Sequence, residues 1–452
     1  MSATLIIWLL LFVGLTLAAF KRSVYAVAVY MLTFFLCPPF WWWGDPIGSI
    51  RWSLYSGLIL LAAVLFSRGQ QISSLNAEGR RVLKIALLMV LNATLVNYTL
   101  AADLESSTES FLLLAKFMLL LYLLYASIKD REDLKIAMIS ILLGAAYIGF
   151  EVTINERGEI NSNRLEGVGA PGASTANHFA CLMVVILPML APFFLVGKTW
   201  QRVVAVLIAP FILNVVLLCN SRGAFLAAIV SAVVFLMSAP KIIRRKAIVV
   251  VAFGALGTFM LMGDVRIMDR FLTTFSAAEE RDNSAQSRFE FAKAGLAMIG
   301  DHPLGSGGSA FKKVRGLKYL QQLGISDVFK AMHNGYLTEM CSWGIQGGIL
   351  RYALFFVAGL ATWRMLRANR DPSPDRIFDS LAACSFLSGT SALLVSSLFG
   401  DHLDSEWGVW MLALMLACIA IAEKDQDQES GEEFDEDLED SDLVLDEQFD
   451  VV

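Results

Sequence analysis

The chain has 452 residues, 56% of them hydrophobic and 17% charged, with a mean hydropathy of +0.59. A soluble domain carries about 45–50% apolar and about 25% charged residues, so a single buried core cannot absorb this surplus. It excludes a soluble enzyme or binding module, because the apolar residues come in blocks of roughly 17–25, the length that crosses a bilayer.

In chain order these blocks fall at 3–20, 24–40, 53–66, 82–101, 111–128, 134–152, 174–196, 203–219, 224–239, 247–263, 336–363, 377–399 and 408–422. They predict an all-α, polytopic integral membrane protein with about 12–13 transmembrane helices. The first block has no basic segment before it and no small-residue cleavage site after it, so it is expected to stay as a span. The run FWWWG at 40–44 is expected to anchor in the bilayer interface.

The connections alternate in charge. Lys21 and Arg22, the 67–81 segment, KDREDLK at 129–135, GKTWQR at 197–202, PKIIRRK at 240–246 and RMLRANRDPSPDR at 364–376 are basic. The intervening ones, such as ADLESSTES at 102–110 and GDHLDSEW at 400–407, are not. Short basic loops stay in the cytoplasm, which assigns the second set to the outer face. Counting every block puts the N-terminus outside; merging the first two would put it inside. Residues 1–422 thus form the membrane domain, with one long extracytoplasmic loop at 264–335 carrying amphipathic helices.

The formal net charge of −6 is set by the tail. Residues 423–452 hold 15 acidic side chains and one lysine, and the remainder has 35 basic and 27 acidic residues. Such a tail repels itself and is predicted to be disordered on the cytoplasmic side, as a solvated extension or a docking segment for a basic partner. The six cysteines, in or beside apolar blocks and without a C-x-x-C motif, read as small buried hydrophobes.

Three outer connections carry chemistry-bearing residues. The turn NSRG holds Arg222 between two spans with almost no loop, and Gly223 permits close backbone approach. In the long loop, SRFE has the form of a capping box, with Ser287 as N-cap, Glu290 at N3 and Arg288 as the first helical residue. Phe289, Ala292, Leu296 and Ile299 would then face a packing surface. A helix start bearing a guanidinium suits phosphate oxygens. The glycines of DHPLGSGGSAF (301–311) end that helix in a turn, where His302 is expected to bond locally; an anion nest is the other reading. His333 closes the loop at the mouth of a span, and a neutral imidazole there can cap, pack or act as a general base.

The stretches NSRGAFLAAIVSAVVF (220–235), QSRFEFAKAGLAMIGDHPLGSGGSAF (286–311) and HNGYLTEMCSWGIQGGILRYALFF (333–356) resemble the O-antigen ligase and O-antigen polymerase family of bacterial polysaccharide assembly. DRFLTTFSAAEERDNSAQSR also resembles the exosortase-associated O-glycosylation ligase branch, which has another residue pair in place of His333 and Asn334. The resemblance implies transfer of a glycan from an undecaprenyl-diphosphate carrier to a glycan, lipid or protein acceptor, at the outer face of the bacterial inner membrane. It implies inversion at the anomeric carbon, no cofactor and no metal, and no nucleic-acid partner is expected. Arg222 and Arg288 would hold the diphosphate, and His333 would orient or deprotonate the acceptor hydroxyl. Asn334, Arg164, Asp401 and His402 are expected near the substrate, and Arg157 in the 153–173 connection could help shape acceptor choice. A transporter or flippase is the competing class. Pro188, Pro192 and Pro210 would allow the kinks it needs, but apart from Lys116, and Glu151 and Arg351 near span ends, the spans carry little charge and no repeat relates the two halves.

Overall fold

The computed structural model describes residues 2–67, 75–161, 164–170, 175–261, 283–326 and 328–449, with side chains described except at 257–261, 283–286 and 428–449. Each apolar block becomes helical. The first half comprises α1 (Ala3–Ala19), α2 (Val24–Phe35), α3 (Trp52–Phe66), α4 (Ala77–Thr99), α5 (Leu104–Ser127) and α6 (Arg131–Ile154). A short antiparallel hairpin follows, β1 (Glu159–Asn161) with β2 (Arg164–Glu166), pairing Ile160 with Leu165. Then come α7 (Ala176–Ile186), α8 (Leu190–Val196), α9 (Thr199–Cys219), α10 (Arg222–Ser238) and α11 (Lys241–Leu261). The loop segment holds α12 (Asn283–Asp301) and α13 (Gly316–Gln322), and the chain ends with α14 (Gly335–Ala368), α15 (Ile377–Ser396) and α16 (Glu406–Phe449).

Among the described residues, eight helical segments are long and apolar enough to cross a bilayer, and four shorter apolar helices accompany them. This is a multi-pass membrane protein. Short polar residues start several spans by accepting a backbone N–H, as Asn76, Asp103 and Asp130 do for α4, α5 and α6. Pro188 and Pro192 split one apolar block into α7 and α8 through a turn of 3-10 helix, because neither can donate to the helical ladder. The membrane-crossing stretches of α15 and α16 are the most enclosed, while α1, α9 and α11 present Leu10, Leu207 and Phe253 outward, as lipid contact requires. All six cysteines are buried and free.

The alternating connections separate to opposite ends of the bundle. At one end Arg22 pairs with Asp130 and Asp133 at 2.5 Å, and Arg131 reaches Asp379 at 2.6 Å and Asp425 at 3.3 Å. At the other, Ala102 donates to Ser306 O (2.9 Å), Ser221 Oγ to Asn177 Oδ1 (2.9 Å) and Gly335 N to Ser397 O (2.8 Å). Trp8, near the start of α1, packs tilted against Trp43 and edge-on to Trp52 at this second end.

Several local expectations change. Trp41 and Trp43 are buried, donating to Phe35 O (3.1 Å) and Tyr147 Oη (2.9 Å), so in that run Phe40 and Trp42 are the exposed aromatics placed to meet lipid. Helix α12 begins at Asn283, so Ser287 lies inside it and Arg288 sits in its second turn. Asn, Ser, Ala and Gln all tolerate a helix, and nothing in 283–286 breaks it before the serine. The buried face of α12 is Phe291, Ala294, Met298 and Ile299, so of the expected packing residues Ile299 is buried and Ala292 half-buried, whereas Phe289 and Leu296 are exposed at 64% and 58%. Both sets have helical spacing; Gly295 decides between them, because a Cβ there would lie 2.7 Å from the Met332 side chain. Arg351 lies within α14 and forms a buried ion pair with Glu339 at 3.2 Å.

Candidate functional site

Helix α14 is broken at Gly344, whose φ of 79° and ψ of 172° suit only glycine. A break inside a bilayer leaves backbone groups without helical partners, and each must be satisfied from elsewhere. The glycine-rich turn after α12 supplies them. Ile345 N donates to Pro303 O (2.9 Å), while Ser306 N and Gly307 N donate to Cys341 O (3.1 Å) and Ser342 O (3.0 Å). Gln346 Nε2 reaches Leu304 O (3.0 Å), and Asn92 Nδ2 on α4 caps Trp343 O (2.9 Å). Contact this close requires glycine: a Cβ on Gly305, at φ 98°, would lie 2.5 Å from Gly344 N. The turn is therefore a plug for a broken span, which ties the long loop to α14.

That plug fixes the nine residues preceding the break, and with them the mouth of the span. His333 itself has φ 55°, the left-handed region that a non-glycine residue occupies only when its surroundings impose it. Asn334 follows as N-cap, its Oδ1 accepting from Tyr336 N (3.1 Å) and Leu337 N (3.2 Å). Gly335 N donates to Ser397 O (2.8 Å) and Gly400 O (3.0 Å), and Thr338 donates to Asp401 Oδ1 (2.7 Å). The α15–α16 connection is thereby clamped against the start of α14. His402 is buried in that connection, its ring edge-on to His178 of α7 with centroids 4.7 Å apart. The His178 Nδ1 lies 2.8 Å from Thr175 Oγ1.

The arginines arrive on other elements. Arg164 opens β2 and donates to Asn177 Oδ1 at 3.1 Å; the same oxygen accepts from Ser221 Oγ at 2.9 Å, the residue before Arg222. Arg222 starts α10 two residues after Asn220, which takes the left-handed conformation that makes so tight a turn possible. Gly223 packs on Phe399, where a Cβ would lie 3.0 Å from the phenylalanine Cβ. Arg222 is thus set between α7 and the connection that carries Asp401 and His402. Arg288, from α12, acts electrostatically on both His333 and His402.

These charges set the state of the imidazoles. Burial lowers the pKa of His333 below 6.5; Asp401 opposes this, and Arg288, Lys312 and Arg164 reinforce it. His402 is driven down to about 3 by burial, with His178, His333 and Arg288 adding to the effect. Both rings are neutral at pH 7, and a neutral imidazole can accept a proton.

His333, Asn334, Arg164, Arg288, Asp401 and His402 therefore share one neighbourhood, with Arg222 on its border. His302 stands apart, its Nε2 2.7 Å from Arg315 Nη1. Arg157 serves the architecture: it donates to Val168 O at 2.8 Å and lies 4.5 Å over the Trp41 ring. Three participants were not legible as such. His178 was one of only four histidines and sits at the polar start of a span, a signal that could have found it. Lys312 in the π-helical turn Ala310–Val314, and Asn177 as the bridge between Arg164 and Ser221, had no distinctive pattern.

No curated protein matches the chain. Residues 205–352 match the family model described as O-Antigen ligase, and this span contains Arg222, Arg288, His333, Asn334 and the break at Gly344. Over that stretch, in which all three motif segments lie or begin, the chain is similar to the O-antigen ligase family.

Proposed function

We propose that the protein joins a glycan, carried on undecaprenyl diphosphate, to an acceptor hydroxyl at the outer face of the bacterial inner membrane. The family's general activity is ligation or polymerisation of a glycan. One observation carries the finer reading: a half-buried neutral His333, flanked by the opposed charges of Asp401 and Arg288, at the start of a broken span.

The chemistry needs three things, and the neighbourhood offers each. A base must take the acceptor proton, and His333 is held deprotonated for that task. The C–O bond between the anomeric carbon and the diphosphate breaks as the new C–O bond forms, and the leaving diphosphate keeps the electron pair. Arg222 and Arg288 stabilise that growing negative charge, since guanidinium groups bind phosphate oxygens in pairs and are strongest where water is scarce. A single displacement inverts the anomeric centre. Asp401 supports the imidazolium that forms, and Asn334, Arg164 and His402 line the approach of donor and acceptor. The carrier's chain stays in the bilayer while its sugar remains in water, as the mouth of a span permits.

Purified protein mixed with a defined lipid-linked donor and an acceptor tests this directly. Glycan transfer that persists in EDTA is the expected result. Translocation of the lipid-linked donor across liposomes without bond formation would replace this reading with a transporter.

A further inference from the structure

The end of the bundle opposite His333 holds a second charged feature that glycan transfer does not use. Helices α10 and α14 both start at the site end, and where they finish, at Ser238 and Ala368, they enclose a cavity of about 150 Å³ together with the start of α11. That is room for about five waters, or for one phosphate group with part of its hydration. Lys241, Arg244, Arg367 and Arg370 line it, with Trp363 and Met237. Arg367 lies 4.5 Å over the Trp363 ring, and Arg244 Nη2 is turned back onto Ala239 O at 3.0 Å. Lys241 reaches Asp371 at 3.5 Å, but both groups are well exposed and such a pair binds weakly. Among the described residues, no carboxylate forms an ion pair with Arg244, Arg367 or Arg370.

Retention of basic loops in the cytoplasm would be satisfied by these charges anywhere in the two connections; it does not require them around one cavity. The rim also has an apolar side. Met237 on α10, which lines the cavity, is 59% exposed, and Ile242 on α11, next in the chain to the lining Lys241, is 66% exposed. Phosphate-binding cations beside lipid-facing apolar surface match a molecule with a phosphate at one end and acyl chains at the other. We propose that this pocket binds the headgroup of an anionic phospholipid in the leaflet opposite the candidate site. Basic pockets between spans recognise such headgroups by the same combination of charge and shape. The aromatic ring of Trp363 gives Arg367 a fixed plane from which to present its guanidinium.

The test uses the full chain, reconstituted in nanodiscs containing phosphatidylcholine and phosphatidylglycerol, re-extracted in mild detergent and examined by native mass spectrometry for co-purifying lipid. Phosphatidylglycerol should be retained over phosphatidylcholine, and R244Q/R367Q should lower that retention about fivefold for each charge removed. The charge-preserving R244K/R367K variant should keep most of it, and high salt should strip the lipid from the unaltered protein, a readout that does not depend on how any variant folds. Equal retention of the two lipids would overturn the proposal, as would full retention by R244Q/R367Q. Displacement by inorganic phosphate as effectively as by phosphatidylglycerol would mean that the pocket reads phosphate alone. Retention that rises sharply when 428–452 is deleted would make the acidic tail the occupant. Transfer activity enters none of these outcomes, so the pocket and the proposed reaction stand or fall separately.

Discussion

At His333 the backbone, the burial and the local charges all act on one ring. Its left-handed φ is held by the Asn334 cap behind it and by the two carbonyls that accept from Gly335 N. On the proposed reading the imidazole works only when deprotonated, so turnover should fall on the acid side at a pH below the ordinary histidine value of 6.5. The sign can be tested by changing its neighbours. Asp401→Asn removes the charge that raises the His333 pKa, so the acid limb of the pH–rate profile should move lower. Arg288→Gln removes a charge that lowers it, so the limb should move higher in whatever activity remains. His333→Ala should cost about 10²–10⁴ in turnover with little change in donor binding; wild-type turnover in that variant would end the assignment of the base. Arg288→Lys should rescue poorly, because a lysine cannot make the paired contacts of a guanidinium.

The element that governs the site is α14, and its stability rests on two devices. The first is the break at Gly344. A Cβ there would lie 2.5 Å from the Leu304 carbonyl carbon, and the φ is one that side chains resist, so Gly344→Ala should destabilise the fold by ~1–3 kcal/mol. Thermal unfolding in detergent measures this, and an unchanged midpoint would mean the plug is not needed. The second is the ion pair between Glu339, before the break, and Arg351, after it, with both side chains about 95% buried (4% and 5% exposed). Removing one partner leaves an uncompensated charge out of water, which costs about 3–5 kcal/mol. Arg351→Met should therefore lower the unfolding midpoint strongly, while Glu339→Met with Arg351→Met should recover most of the loss. Two additive losses would show that the pair does not act as a unit.

Across the whole molecule, the two sets of connections face opposite ends, and the proposed reaction needs the set around His333 to be the outer one. Cysteine introduced at Asp404, an exposed residue at the site end, should react with a membrane-impermeant maleimide in intact cells. Cysteine introduced at Lys241, exposed at the other end, should react only after the membrane is opened. The reverse pattern would place the site in the cytoplasm, where this reading fails. The acidic segment touches the body through Asp425 and Arg131 at 3.3 Å, far from the site, so deleting 428–452 should leave transfer unchanged. A well-folded truncation without activity would give the tail a direct part in the reaction.

Hydropathy and loop charge are properties of short segments, and both were legible without coordinates: the spans, the alternation of connections and the motif positions Arg222, Arg288 and His333. Gly223 was legible too, since a turn that short between two spans demands a residue without a Cβ. The phase of α12 was not, because two apolar faces were present and only contact with Met332 chose between them. Nor was the plug. Pro303, Ser306 and Gly307 satisfy carbonyls and an N–H 35–42 residues further along the chain, and no local pattern announces a hydrogen bond to a helix that has yet to break. The meeting of His178 with His402 spans more than two hundred residues and depends on how α7 packs against the α15–α16 connection. The sequence by itself determined that the chain crosses the bilayer many times as helices and which side chains could serve the chemistry, because burying backbone in lipid leaves few alternatives. Which of those side chains meet, and in what state of charge, was decided only by tertiary packing, since distance and desolvation between remote segments are not written in any one of them.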